Sequence, residues 1–483
     1  MSLKRDTLYN LGGSIAPIVV SLVTVPAYLR LIGDARYGVL AIVWLFLGYF
    51  GLFDPGITRA ASYHIARFHR AEDAKQRESV FWTALLVNLG FGVAGGIILY
   101  MAARPIFMSA FKMPEVMRSE VMASLPWLAA SVPLAIVTGV LGGALQARER
   151  FGTYNTINVA NAALSQLVPL AVAYWHGPDL AWLIPAVLMT RITGVVPSFV
   201  ALASALPLGL GGGYDGSKMR SLFSYGGWIT ITNVLTPVLS TMDRMLIGSL
   251  LSAEAVAFYT VPFNMVSRMS VVPGALAASL FPKLSRSSAE DSAQLASEAV
   301  AALAAVTTLM IVLAVAVFPV FMRIWVGRSF AEHAAPIGVI LLVGIWVNGL
   351  AYVPYGHLQA SGRPDIVAKF HAIEVIPFLG ILWFGLHSFG LVGAAYAWTL
   401  RTTVDALLLF KVGGRIPRWQ RLLPGGLIVV TAAVLSPTSV MSARMVAETV
   451  LVVVATVWSW NLSPVVRAVV RQALNVRNAH AAV

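Results

Sequence analysis

Apolar residues in this chain run together in long blocks, and polar residues gather in the short stretches between them. The blocks fall at about 9–30, 38–58, 79–103, 121–145, 154–175, 180–206, 222–250, 255–281, 299–322, 334–358, 370–387, 389–410, 424–440 and 445–462. At about 1.5 Å of rise per residue, each can cross a hydrocarbon core as a helix with some tilt. The pattern predicts an all-α polytopic membrane protein with fourteen transmembrane helices.

The pattern also repeats itself. Tyr9 to Trp44 and Tyr225 to Pro262 share one plan: a Tyr and two Gly, a Pro-broken apolar run, an Arg, then Leu-Ile-Gly and another apolar run. The Leu-Ile-Gly ends at Gly33 in one copy and Gly248 in the other, an offset of 248 − 33 = 215. Leu145-Gln146-Ala147 recurs as Leu358-Gln359-Ala360, an offset of 359 − 146 = 213. Two matches at one offset indicate a duplicated half of about 210 residues. Six spans per half is an even number, so the halves enter the membrane in the same direction, as parallel repeats about an axis along its normal. The expected organisation is a six-helix lobe over 1–207, a second over 208–421, and an appended helix pair with a tail over 422–483.

Composition agrees with a membrane chain: 58% of the 483 residues are hydrophobic and 11% are charged. The net charge of +13 would suggest a nucleic-acid partner in a soluble protein. Here its placement predicts topology instead. With both termini cytoplasmic, about 22 basic residues fall in inner loops and the tail and about 8 in outer loops, the bias expected of cytoplasmic loops. Lys4 and Arg5 precede the first span without a small-residue cleavage site, so that span is expected to be retained. The absence of cysteine excludes disulfides, thiolate metal sites and thiol catalysis. No loop exceeds about 20 residues, which leaves no room for a soluble catalytic domain. There is no Gly-rich phosphate loop, and the eight His show no metal spacing, so no cofactor and no metal are expected. Gly92 with Gly96 and Gly139 with Gly143 are small-residue faces suited to close helix packing.

The informative residues are charges at membrane depth, where an arginine costs a few kcal/mol unless it meets water, a partner or a ligand. Arg191 and Arg268 lie near the middle of their spans with no acid within one helical turn, which points to a cavity. Arg244 follows Asp243, but neighbouring helical residues diverge by about 100°, so an interlobe partner or snorkelling stands beside a ligand role. Arg30 and Arg59 lie near span ends, where snorkelling competes. Arg401 has Asp405 four residues on, and a self-contained pair or a ligand contact both remain open. Asp54 precedes Pro55 at an expected helix break, where it could bind a coupling cation, neutralise Arg59 or cap the break. Glu374, near a span end, reads as solvated. A surplus of unpaired arginine over unpaired acid favours an anionic substrate, because guanidinium forks suit phosphate oxygens.

The runs PAYLRLIGDARYGVLAIV with GLFDPGITRA, and MDRMLIGSLLSAEAVAFYTVP with LFPKLSR, resemble the Wzx-type polysaccharide flippases of the multidrug/oligosaccharidyl-lipid/polysaccharide exporter superfamily. The resemblance covers nearly the whole chain. It implies a MATE-like fold and export of an undecaprenyl-diphosphate-linked oligosaccharide across the bacterial inner membrane by alternating access, beside glycosyltransferases or a glycan polymerase. It further implies that Arg30, Arg59 and Arg268 line the cavity, with Arg191 and Arg244 as further diphosphate candidates. Asn158, Asn233 and Trp228 are the sugar candidates, although Asn155, Asn158, Asn161, Gln166 and Asn233 are equally suited to interhelical hydrogen bonds. Asp54, Asp243 and Asp405 are the candidate ion-coupling groups. The alternative is a cation-coupled multidrug antiporter of the same superfamily, which would want unpaired acids in its cavity.

Overall fold

The computed structural model describes residues 3–48, 54, 56–68, 73–206, 239, 241–413, 419–436, 441–464 and 467–468, and the described residues are helical almost throughout. In chain order the helices are α1 (Leu3–Gly48), α2 (Ile57–Arg67), α3 (Ala74–Pro105, continued by a π turn at Ile106–Ala110), α4 (Glu115–Ala147), α5 (Phe151–His176) and α6 (Leu180–Ala205). They continue with α7 (241–250), α8 (Ala253–Ser267), a 3₁₀ turn (Arg268–Ser270) and α9 (Val271–Arg286). The last are α10 (Ala289–Val326), α11 (Arg328–Ala360), α12 (Pro364–Val412), α13 (Trp419–Leu435) and α14 (Met441–Leu462). Among the described residues nine helices are long and apolar enough to cross a membrane.

Two of these helices are bent by glycine. At about 1.5 Å per residue the 49 residues of α12 would span far more than the ~30 Å of a hydrocarbon core. Gly390 interrupts it with φ 57° and ψ −139°, and Gly33 interrupts α1 with φ 77° and ψ 166°. Both lie in the left-handed half of backbone space that glycine alone occupies without penalty. The expected span 38–58 does not form one continuous helix. Pro55 disfavours helical geometry at Asp54, Gly56 turns left-handed (φ 81°), and α2 restarts within residues expected to form a cytoplasmic loop.

Two backbone features recur at the offset of the sequence repeat. The two Leu-Gln-Ala motifs end α4 and α11, helices of 33 residues each. Gly177, between α5 and α6, and Gly390, inside α12, both have positive φ and stand 390 − 177 = 213 residues apart. The other repeated glycine has diverged. Gly33 makes a bend, whereas Gly248 lies within α7, where a Cβ would collide with the Phe111 ring.

By its contacts the chain divides into Met1–Ala257 and Phe258–Val483. In the first unit, the small-residue faces do close helices together. A Cβ on Gly92 would lie 2.7 Å from Pro133 Cα, and one on Gly96 would lie 2.7 Å from the Ala129 carbonyl oxygen, so α3 and α4 touch backbone to backbone. Ile57, Ala60, Ala61 and Ile65 of α2 bury against Phe81, Leu141 and Leu145. Gln166 of α5 ties α1: it accepts from Thr24 (2.6 Å) and donates to Ser21 (3.2 Å), while its carbonyl accepts from the Tyr28 hydroxyl (2.5 Å). Glu120 accepts from Arg36 Nε (3.0 Å) and from the Leu180 amide (3.1 Å), joining α1, α4 and the start of α6. Lys112 donates its backbone amide to Gly248 O (3.0 Å) and its ammonium to Leu250 O (2.6 Å), which fixes α7 to the end of the π turn. In the second unit, Trp346 donates to Thr308 (2.9 Å) between α11 and α10, and Ser459 donates to Ala305 O (2.7 Å) between α14 and α10. A Cβ on Gly425 would meet Trp458, so α13 and α14 pack against each other as well as on the helices of this unit.

Replacing Gly96 with Ala should lower the thermal midpoint of the purified protein by several degrees, since the new methyl meets a backbone carbonyl that cannot step aside. Gly90→Ala, with nothing within 4 Å of its Cβ, should match or slightly exceed the wild type in the same melt.

Candidate anion-binding site

Arg268 occupies the point where the eighth span loses its α-helical ladder. Pro273 has no N–H for the Met269 carbonyl and its ring crowds that carbonyl, so the chain tightens to a 3₁₀ turn over Arg268–Ser270 before α9 begins. The Arg268 side chain is exposed and has no ion pair among the described residues. It opens onto a cavity of about 300 Å³ lined by Asn264, Ser267, Arg268, Ser270, Val271 and Tyr352. One guanidinium, an amide, two hydroxyls and a phenol make a lining that can donate to phosphate oxygens and exchange hydrogen bonds with a sugar. Asn264, Ser267 and Pro273 flank Arg268 closely enough for the sequence to have exposed them. Tyr352 comes from α11, and no local signal points to it.

Arg30 and Arg59 are likewise exposed and outside any ion pair among the described residues, on α1 before the Gly33 bend and on α2 after the Gly56 turn. They belong to the first unit and Arg268 to the second. Arg191, expected at a cavity, is half-buried and donates to the Leu47 carbonyl (3.1 Å). That carbonyl lies in the last turn of α1, so Arg191 ties α6 to the end of that helix.

The expected divergence of Asp243 and Arg244 is corrected by the structure. Arg244 curls back so that its Nη1 lies 2.8 Å from both carboxylate oxygens of Asp243, with the side chains 2% and 0% exposed. A long flexible stem overcomes the ~100° separation of neighbouring helical positions. For Arg401, where a self-contained pair with Asp405 and a ligand contact were both open, the structure supplies a different partner. Arg401 Nε bonds to Glu374 Oε2 (3.3 Å) across the bend of α12, and Glu374, read as solvated, is buried. Asp54 takes the capping role: its Oδ1 accepts from the Thr58 amide (3.3 Å) in the first turn of α2. Asn158 is half-buried on α5, and Asn161 packs against Gly194 of α6. Trp228 and Asn233 lie outside the described residues.

A second, larger cavity in the Phe258–Val483 unit, about 820 Å³, runs between α10, α11, α12 and α13. Its walls are mostly aliphatic, with Arg323 and Glu332 among the few polar residues.

The profile described as Polysaccharide biosynthesis protein matches residues 3–288 of the chain, which is more than half of it. The chain belongs to this family. A Shigella flexneri protein assigned as an O-antigen transporter is 26% identical over 410 residues, covering 85% of this chain and 97% of that one. A Haloferax volcanii protein assigned as the low-salt glycan biosynthesis flippase Agl15 is 27% identical over 192 residues, covering 39% of this chain and 41% of that one. Among solved structures, lipid II flippase MurJ in an inward closed conformation aligns with a TM-score of 0.67 at 11% identity, over 94% of this chain and 98% of that one. A multidrug resistance MATE transporter of the MOP superfamily, facing inward, aligns with a TM-score of 0.65 at 15% identity, over 91% and 97%. At such identities the likeness shows the fold, which is MATE-like, as the sequence resemblance implied. The chain is a multi-pass membrane protein of a transport family and not an enzyme.

Removing one member of the buried Asp243–Arg244 pair leaves the other charge bare. Asp243→Asn or Arg244→Met should each cost about 3–5 kcal/mol, and the double replacement should recover a measurable part of that loss. Chemical denaturation of the three variants in one detergent checks this; a double variant as unstable as the sum of the singles would contradict it.

Proposed function

We propose that this protein flips an undecaprenyl-diphosphate-linked oligosaccharide from the inner to the outer leaflet of a bacterial cytoplasmic membrane, for surface polysaccharide biosynthesis. The observation that carries the reading is the Arg268 guanidinium, which has no ion pair among the described residues, sits at the 3₁₀ turn between α8 and α9 and faces a polar cavity. A diphosphate cannot cross hydrocarbon bare, and a glycan would forfeit many water hydrogen bonds on the way. A cavity that offers a cation beside an amide and hydroxyls addresses both needs. The relatives assigned to O-antigen transport and to glycan flipping support the same cargo class.

In this reading Arg268 contacts the diphosphate, Arg30 and Arg59 are the diphosphate candidates of the first unit, and Asn158, Asn233 and Trp228 remain sugar candidates. Arg191 and Arg244, given their internal partners, hold the framework instead. The duplicated halves, 1–207 and 208–421, are the two lobes of an alternating-access cycle, 422–483 is the appendage, and both termini are cytoplasmic. Glycosyltransferases would supply the cargo and a glycan polymerase would receive it. A multidrug antiporter shares the fold, but an exposed arginine in the cavity opposes a cationic cargo.

Export of about two negative charges from a negative interior gains about 2.3 kcal/mol per charge per 100 mV, so the membrane potential is a sufficient drive. Of the coupling candidates, Asp54 caps a helix and Asp243 is neutralised by Arg244, which leaves Asp405 for any cation antiport.

In proteoliposomes carrying fluorescent undecaprenyl-diphosphate oligosaccharide, Arg268→Ala should slow flipping at least tenfold, with normal folding and insertion, and Arg268→Lys should retain part of the rate. Full activity of Arg268→Ala would remove this cavity from the pathway, and transport of lipophilic cations in its place would favour the antiporter. With pH and sodium gradients held fixed, collapsing the membrane potential should slow the wild type; an unchanged rate would exclude the potential as a drive.

A further inference from the structure

The larger cavity lies in the Phe258–Val483 unit, where α12 and α13 both pack on α11 and leave a wedge between them. Ala331 and Ala335 of α11 and Ala433 of α13 present only methyl groups there, too short to fill about 820 Å³. Tyr396, Val430 and Val434 flank the wedge and are exposed, so it opens sideways, onto the bilayer that surrounds a membrane-spanning chain. One end is marked by helix ends. Arg323 stands in the last turn of α10, Glu332 in the second turn of α11, and Ser436 directly after α13. The other end lies near Val343. At about 1.5 Å per residue the stretch from Glu332 to Val343 descends ~16 Å, half of a ~30 Å hydrocarbon core. The cavity is therefore one leaflet deep, with its charged residues at the membrane boundary and mostly aliphatic walls below. Thr399, on the deeper wall, spends its hydroxyl on the Ile340 carbonyl (3.3 Å).

The charges at the boundary do not cancel. Arg328 donates to Glu332 (2.8 Å), and Arg323 has no ion pair among the described residues, which leaves one guanidinium in surplus. Left empty, such a cavity would forfeit dispersion contacts along its walls, and water would find too few partners on them. Hydrocarbon chains suit the walls, and a phosphate suits the guanidinium. A zwitterionic headgroup brings its own cation to that boundary, whereas an anionic one brings the charge that is missing.

We propose that this cavity binds one anionic diacyl phospholipid, with its acyl chains between α12 and α13 and its headgroup phosphate on Arg323. The depth favours this lipid over the tail of the proposed cargo, because an undecaprenyl chain is much longer than one leaflet is thick. Bound there, the lipid completes the packing between α13 and the α11–α12 pair, so a component of the bilayer helps to hold the last helices onto the unit. The site does not rest on the flippase reading.

The test uses the full chain, purified in a mild detergent, stripped of endogenous lipid and offered phosphatidylglycerol and phosphatidylcholine in equal amounts. Native mass spectrometry of the wild type should show one retained lipid, with phosphatidylglycerol preferred about fivefold. Arg323→Gln should retain the two lipids equally. Val343→Trp, which fills the deep end of the wedge, should retain neither. Added phosphatidylglycerol should raise the melting temperature of the wild type by several degrees and leave that of Val343→Trp unchanged. Equal retention of the two lipids by the wild type, or an undiminished preference in Arg323→Gln, would overturn the proposal. So would a wild type that retains no lipid, or one whose retained lipid persists in Val343→Trp. Undecaprenyl phosphate that displaces phosphatidylglycerol from the wild type would also overturn it and give the wedge to the cargo's tail. Should Val343→Trp fail to fold, the preference of Arg323→Gln decides alone.

Discussion

A hydrocarbon interior offers no hydrogen bonds and no screening, so every charge and every freed backbone group inside it has to be answered by the protein or by a cargo. Most of the polar architecture of this chain follows from that rule. Gln166 uses its amide oxygen, its amide nitrogen and its backbone carbonyl against α1. Arg191 answers a carbonyl at the end of α1, and Asp54 answers an amide at the start of α2, so the interruption between those helices is guarded on both sides. Against this background the exceptions carry meaning. Among the described residues Arg268 is answered by no acid, and one oxygen each of Glu374 and Asp405 by no donor.

The membrane class and the helical fold were legible in the sequence because they depend on long averages: block length and composition. Charge pairing was not, because it depends on single torsions. Helix geometry alone argued that Asp243 and Arg244 diverge, yet a three-carbon stem folded back to join them. The four-residue spacing of Arg401 and Asp405 suggested a local pair, yet the bend at Gly390 supplied Glu374 from the other arm. Around Arg268, the flanking Asn264, Ser267 and Pro273 were visible in the sequence, but Tyr352 arrives through the packing of α9 on α11 and had no signature.

The duplicated halves also show how one sequence plan serves different ends. The glycine that closes Leu-Ile-Gly bends α1 in one copy and makes room for Phe111 in the other. The glycine between the fifth and sixth spans kept its left-handed backbone in both copies, at 177 and at 390. What persisted is the backbone punctuation; what drifted is the packing, which a few side chains can rewrite.

Two ion pairs among the described residues, Asp243–Arg244 and Glu374–Arg401, differ in how much chain each one encloses, and this bears on biogenesis. Asp243 and Arg244 are consecutive, so their bond closes within a single helical turn, as soon as that turn exists. The segment carrying them can partition into lipid already neutral, without waiting for a later helix. Glu374 and Arg401 are separated by an entire bend, and neither is neutralised until both arms of α12 have been synthesised and folded back. The first pair is therefore compatible with insertion one span at a time, while the second obliges its two arms to enter the bilayer as a hairpin.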